Sequence, residues 1–179
     1  ACTIFEWPDH PRYGRRRKTG NELFLDADHA ARAVVEPAVN GLGNKLGVVL
    51  FQCAPQSLKQ IGGPEAFVDL LHAFLARLPR GPRYAVEVRN RELLSDEYAA
   101  ALTDAGAVNC ITSLARMPAL AEQWARSRAG SGDLLIVRWM LNRTENYESA
   151  LDRYEPFHRL VDEDAATRSE IAHLAVAGG

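Results

Sequence analysis

Four short apolar runs recur along the chain, and each has the length of a buried strand. They begin near Leu46, Arg83, Ala107 and Leu134, and each contains β-branched residues. Every gap between two runs holds residues with helical spacing. This alternation predicts parallel strands that are joined by helical crossovers. The predicted fold class is therefore α/β, built from parallel βα repeats.

Capping residues and apolar stripes mark the helices that lie between the strands. Asp26 begins a helix that is predicted to end at Pro37, and Pro64 begins the helix with the clearest stripe. Ser95 and Asp164 are the predicted N-caps of two later helices. The stripe after Pro64 consists of Phe67, Leu70, Leu71, Phe74, Leu75 and Leu78.

Two architectures fit this repeat: a doubly wound open sheet and a segment of a (β/α)8 barrel, which typically needs about 250 residues. Polar residues at the C-terminal ends of the strands favour the barrel, because its central cavity accommodates such side chains. The chain has 179 residues, of which 47% are hydrophobic. We therefore predict an incomplete TIM-type (β/α)8 barrel that forms a single domain over residues 1–179.

Charged and amide side chains interrupt the apolar strands near their C-terminal ends. Side chains alternate along a strand, so Glu87 and Arg89 share one face of the second strand. Gln52 ends the first strand, and Arg138 interrupts the last one. A buried carboxylate or guanidinium is costly unless it is paired or bound to a ligand. We expect these four side chains to converge on the inward faces of neighbouring strands.

The balance of charge in this set predicts an anion site. Two arginines exceed one glutamate by one positive charge, and a guanidinium group suits a phosphate or a carboxylate. The predicted ligand-binding residues are Gln52, Arg89, Asn90 and Arg138. Glu87 has two interpretations: a catalytic acid or base, and a structural ion pair that positions the arginines. The predicted function is binding, with or without transformation, of a phosphate- or carboxylate-bearing small molecule; a non-catalytic binding protein is an alternative.

A basic cluster in a predicted loop, residues 8–22, offers another function. The net charge of the chain is -2, but five cations lie within residues 12–18: Arg12, Arg15, Arg16, Arg17 and Lys18. The cluster fits a solvated loop, and it also fits a phosphate handle formed by residues 15–18. A nucleic-acid-binding or repair-like barrel protein is therefore a second alternative. A second predicted loop covers residues 142–155.

Several other classes of site lack a signal in the sequence. The cysteines Cys2, Cys53 and Cys110 are few, odd in number and far apart, which fits neither a disulfide framework nor a zinc site. The five histidines lack ligand spacing, and no GxGxxG or Walker motif is present, so we predict no metal and no cofactor. No apolar run approaches the roughly 20 residues that span a bilayer, and no signal peptide is evident. We expect a cytoplasmic location and no membrane partner.

Four segments of the chain, taken in order, resemble the YecE-like family, the domain of unknown function seventy-two. They are residues 45–52 (Lys-Leu-Gly-Val-Val-Leu-Phe-Gln), 74–79, 85–90 (Ala-Val-Glu-Val-Arg-Asn) and 136–139 (Ile-Val-Arg-Trp). The resemblance implies a TIM-type barrel of unassigned activity and a fragment that lacks both ends of that barrel. In the family, the arginine that matches Arg89 is commonly followed by histidine, whereas this chain has Asn90 there.

Overall fold

Each of the four predicted apolar runs contributes a strand to one parallel sheet. The computed structural model describes residues 2–128, 133–140 and 147–177. The strands are β1 (Val49–Gln52), β2 (Tyr84–Glu87), β3 (Ala107–Thr112) and β4 (Ile136–Arg138), and they lie side by side in that order. The sheet is curled like half of a barrel, and helices accompany it. The α/β class and the parallel βα repeat are therefore confirmed.

The helices of the described residues connect and cover these strands. The α-helices are α1 (Ala27–Ala30), α2 (Glu36–Leu42), α3 (Leu58–Ile61), α4 (Pro64–Ala76), α5 (Asp96–Asp104), α6 (Leu120–Ser127), α7 (Tyr147–Tyr154) and α8 (Ala165–Ala177). The three predicted N-caps are confirmed, since the side chains of Asp26, Ser95 and Asp164 each accept a hydrogen bond from the backbone N–H three residues later, at 2.9, 3.3 and 3.0 Å. Helices lie between each strand and the next, as a parallel sheet requires.

The two faces of the sheet have different chemistry because side chains alternate along each strand. Phe51 and Val86 face the helices and join the main buried cluster, in which the ring of Phe51 lies 5.1 Å from that of Phe74. Ile111 packs with Leu120 in a second buried cluster. The helix-facing layer is therefore mostly apolar, with Asn109 buried against Tyr98, whereas Gln52 and Glu87 lie on the opposite face.

Strand pairing begins later than the apolar pattern predicts. Val49 is the first paired residue of β1, opposite Tyr84, whereas the predicted strand begins at Leu46. The N–H of Val49 donates to the carbonyl of Arg83 at 2.9 Å, and this bond marks the start of the pairing between β1 and β2. The last paired residues of β1 and β2 are Gln52 and Glu87, which places these two polar side chains next to each other.

The first helical segment does not end at Pro37 as predicted. A π-helical stretch, Ala31–Val35, joins α1 to α2, and α2 continues beyond the proline to Leu42, where Gly43 takes a φ of 53°. The wider π turn accommodates a proline inside a helix because it relaxes the hydrogen-bond spacing. It also rotates the apolar stripe, so that Val35 is buried while Val34 is exposed.

Three further sequence predictions need correction. Leu70 was placed on the buried stripe of α4, but its side chain is 46% exposed. The predicted loop 142–155 contains helix α7, whose apolar residues 147, 150, 151 and 154 do have helical spacing; residues 142–146 lie outside the described residues. The predicted loop 8–22 includes a 3-10 helix, Pro11–Arg16, and Glu6 forms an antiparallel bridge with Gly20.

Candidate functional site

Glu87 is the centre of a buried ion-pair cluster at the C-terminal end of the sheet. It is the last residue of β2, and its side chain is 0% exposed. Its Oε1 accepts a hydrogen bond from Nε of Arg89 at 2.9 Å, and its Oε2 accepts one from Nη1 of Arg138. Both carboxylate oxygens are therefore bound by guanidinium groups, the arrangement that makes a buried charge tolerable.

Gln52 completes the cluster from the neighbouring strand. Its Oε1 accepts a hydrogen bond from Nη1 of Arg138 at 2.7 Å, although the two residues lie 86 positions apart in the sequence. One nitrogen of Arg138 thus bridges Gln52 on β1 and Glu87 on β2. The structure brings together Gln52, Glu87, Arg89 and Arg138, four of the five residues that the sequence placed at the strand ends.

Both arginines of the cluster are partly exposed and keep unused donor groups. The side chain of Arg89 is 22% exposed and that of Arg138 is 34% exposed. A guanidinium group has five N–H donors. Among the described residues, Arg89 donates through Nε and Arg138 through Nη1, which leaves both Nη groups of Arg89, and Nε and Nη2 of Arg138, without a protein acceptor. These donors and the excess of one positive charge make the cluster suitable for an oxyanion.

The geometry favours the structural interpretation of Glu87 over the catalytic one. A general base needs an oxygen that can take a proton from a substrate. Each oxygen of Glu87 instead accepts a hydrogen bond from an arginine, and the side chain is buried. Glu87 holds two guanidinium groups close to each other, because its negative charge offsets the repulsion between them.

Asn90 is not part of the ion-pair cluster. Its Oδ1 accepts a hydrogen bond from the backbone N–H of Gln56 at 2.7 Å, and its Nδ2 donates to the backbone carbonyl of Gln56 at 3.1 Å. The side chain of Gln56 in turn accepts from Phe5 N and donates to the carbonyl of Thr3. Asn90 therefore connects the loops that follow β1 and β2 to the N-terminal segment, which is a bracing role.

Two buried thiols near the sheet end are poor nucleophiles. Burial raises the pKa of Cys53 to about 12. Burial, together with the charge of Glu87, raises the pKa of Cys110 to about 12 as well. A thiol with such a pKa is almost entirely protonated at neutral pH, and the thiolate is the reactive form. Cys53 and Cys110 are therefore poorly suited to nucleophilic catalysis.

Thr112 is a polar residue of this region that the sequence analysis did not select. It is the last residue of β3, and it is paired in register with Arg138. Its side chain is 0% exposed, and its Oγ1 has no hydrogen-bond partner among the described residues. The signal was present in the sequence, since Thr112 ends a predicted strand in the same way as Gln52 does.

The positive charge of the predicted basic loop is partly neutralised. Asp9 contacts Lys18 at 2.8 Å and Arg17 at 3.6 Å. The guanidinium of Arg12 lies 4.7 Å from the centre of the Tyr13 ring, and that of Arg16 lies 5.8 Å from the ring of Trp7. Arg15 is exposed and makes no ion pair with a described residue. The loop therefore presents cations that lie over aromatic rings.

A cavity of about 510 Å³ lies beside the end of β4. Its lining includes Trp139, Met140, Phe157 and Asp164, and it includes none of the residues that the sequence predicted for a site. Within the described ranges, no group of three or more histidine, cysteine or acidic side chains is arranged to hold a metal ion. No helix of the described residues is long and apolar enough to cross a membrane.

Comparison with known proteins identifies the family and nothing more specific. No curated protein and no solved structure matches the chain. The family model described as protein of unknown function DUF72 matches residues 14–175, which include the strands and the whole ion-pair cluster. The resemblance seen in the sequence motifs is thus confirmed, and the chain belongs to the DUF72 family of proteins of unknown function.

Proposed function

We propose that this DUF72 protein binds a phosphate- or carboxylate-bearing small molecule at the C-terminal ends of its strands, within a TIM-type (β/α)8 barrel. The observation that carries the proposal is the position of Glu87, whose two oxygens hold two arginines at once. The curled parallel sheet supports the barrel part of the proposal, since parallel strands of a barrel carry their sites at this end.

Electrostatics supports an anion as the ligand. Arg89, Arg138 and Glu87 sum to one positive charge in a partly buried place, where charges are screened less than on the surface. Both arginines are partly exposed, and both retain donors that no described residue accepts. Because Glu87 is already bound on both oxygens, the proposal is one of binding first, and any transformation would need a reacting group beyond this carboxylate.

Inorganic phosphate tests the proposal directly. A ligand that binds the folded state stabilises it by mass action, so phosphate at about 100 times its dissociation constant is expected to raise the melting temperature by several degrees. The melting temperature is measured at constant ionic strength, with chloride as the control salt and succinate as a carboxylate probe. Equal melting temperatures in phosphate, succinate and chloride would contradict anion binding at this site.

Nucleic-acid binding through the basic loop is a second candidate. The observation that favours it is the placing of Arg12 over Tyr13 and Arg16 over Trp7, because cations beside aromatic faces suit a phosphate backbone and stacked bases. Asp9 weakens this candidate, since it neutralises part of the charge of Arg17 and Lys18. Among the residues that the structure describes, no acidic side chain other than Glu87 pairs with the arginines of the cluster, so the small anion is the better supported ligand.

Changing Arg15, Arg16 and Arg17 together to alanine separates the two candidates. All three side chains are exposed, so the stability is expected to change by less than roughly 0.5 kcal/mol per site, while any affinity for DNA or RNA at low salt falls. A matched control with the same loss of charge changes Arg77, Arg83 and Arg126, three exposed arginines elsewhere. If both triple variants bind DNA and RNA as the parent does, the loop has no role in nucleic-acid binding.

A further inference from the structure

The buried hydroxyl of Thr112 is a polar group without a protein partner. Its side chain is 0% exposed, and Oγ1 forms no hydrogen bond with a described residue. Buried polar atoms are nearly always hydrogen-bonded, so an exception calls for a physical reason. Leaving a hydroxyl unsatisfied destabilises the folded protein, and a valine of the same shape would avoid this cost.

The backbone of Thr112 is held in a defined position. Its N–H donates to Oε1 of Gln123 at 3.1 Å, and its carbonyl accepts from Nε2 of Gln123 at 2.9 Å. The same Nε2 donates to the carbonyl of Pro118 at 2.8 Å, and Gln123 is itself buried. Because the backbone is held on both sides, the direction of the Cα–Cβ bond of Thr112 is fixed as well.

Thr112 lies on the face of the sheet that carries the two arginines. Ile111 packs toward the helices, so Thr112 lies on the opposite face of β3, and it is paired in register with Arg138 on β4. The register between β2 and β3 pairs Val86 with Asn109, and its continuation by three residues places Arg89 opposite Thr112. The register therefore places Thr112 between Arg89 and Arg138, on the face of the sheet that carries Glu87.

We propose that the Thr112 hydroxyl donates a third hydrogen bond to the bound anion, and that the ligand group is therefore a phosphate rather than a carboxylate. This inference rests on the proposed anion site. A phosphate presents three oxygens in different directions and can accept from Arg89, Arg138 and Thr112 at once. A carboxylate has two oxygens in one plane, which a pair of guanidinium groups already satisfies. The third donor thus selects for the tetrahedral group.

In this proposal, the phosphate reaches the hydroxyl of Thr112 by passing the side chain of Arg138. The hydroxyl is closed off from solvent, whereas the side chain of Arg138, its register neighbour, is 34% exposed. A phosphate oxygen reaches the hydroxyl when this arginine side chain shifts toward the solvent. The shift lengthens or breaks the bonds of Arg138 to Glu87 and Gln52, and a new bond from the guanidinium group to the phosphate offsets part of that cost.

Thr112→Val and Thr112→Ser test the third hydrogen bond in the full chain. We expect Thr112→Val to lower the affinity for inorganic phosphate about tenfold, the loss typical of one hydrogen bond to a charged group. Thr112→Ser keeps the hydroxyl, so its affinity is expected to stay within about threefold of the parent. Affinities are measured by calorimetry at constant ionic strength, with acetate as the carboxylate probe, whose binding the valine variant is expected to leave unchanged.

Stability distinguishes a ligand contact from a structural role. Without phosphate, Thr112→Val is expected to unfold at the same urea concentration as the parent, or at a higher one, because it removes an unsatisfied hydroxyl. Weaker phosphate binding without loss of stability therefore supports the inference. If the valine variant proves unstable, the inference is tested on the parent protein alone, by comparing how far phosphate and acetate stabilise it. Equal stabilisation by the two anions overturns the inference.

The outcomes also separate this inference from the proposed function. If the parent binds neither phosphate nor acetate, the anion site itself is wrong. If the parent binds phosphate and Thr112→Val binds it equally well, the anion site stands and the role of Thr112 is wrong.

Discussion

Replacing Glu87 by leucine is expected to lower the free energy of unfolding by about 3 kcal/mol or more, the scale of a broken buried ion pair. The carboxylate is buried and accepts hydrogen bonds from Arg89 and Arg138. Without it, two guanidinium groups lie close together in a partly buried place, and no carboxylate offsets the repulsion between them. The measurement is urea unfolding at neutral pH, with the slope of the transition compared between the variant and the parent.

A graded set of variants shows that the loss comes from the charge. Glu87→Gln keeps the size of the side chain and one acceptor oxygen, so we expect a smaller loss than for Glu87→Leu. The double variant Glu87→Leu with Arg138→Met removes the repulsion as well as the brace, and it is expected to recover part of the stability. A loss of less than about 1 kcal/mol for Glu87→Leu would show that the carboxylate does not hold the arginines.

Replacing Arg138 by methionine is expected to weaken phosphate binding about 30-fold, or about 2 kcal/mol, the scale of a charged hydrogen bond. The variant also leaves Oε2 of Glu87 and Oε1 of Gln52 without their donor, so a loss of stability of about 1–3 kcal/mol is expected beside the loss of binding. Binding is therefore measured by calorimetry on the folded variant rather than inferred from its melting temperature.

The two variants should differ in their response to phosphate. Glu87→Leu leaves the arginines with two unopposed positive charges, so added phosphate is expected to stabilise it more than it stabilises the parent. Added phosphate is expected to stabilise Arg138→Met less than it stabilises the parent. Arg126→Met is a matched control, because Arg126 is an exposed arginine that pairs with Glu122 on the surface of α6. If phosphate stabilises Arg138→Met as much as the parent, the anion site is not formed by this arginine.

The sequence by itself determined the class of the fold and the shared face of Glu87 and Arg89. Four apolar runs separated by helical patterns are sufficient to predict parallel strands, because a parallel connection needs a crossover. The alternation of side chains placed Glu87 and Arg89 on one face before any contact was known. The sequence also predicted the N-caps Asp26, Ser95 and Asp164, since capping depends on hydrogen bonds within one turn.

Some of the missed features were local and could have been found. The apolar spacing of α7 is helical, and Thr112 ends its strand in the way that Gln52 does. The helix through Pro37 is harder to predict, because proline normally ends a helix and only the π-helical stretch before it relieves the conflict.

Only the tertiary structure decided which atoms of the predicted polar residues form hydrogen bonds with each other. Nothing in the sequence near Arg138 indicates that its Nη1 binds Gln52 and Glu87, because that contact depends on the register of β1 through β4 and on the curl of the sheet. Asn90 has a suitable position in the sequence but bonds to the backbone of Gln56, since the loop after β1 folds over it. Local pattern specifies the face and the end of a strand, whereas pairing between distant strands specifies the partner.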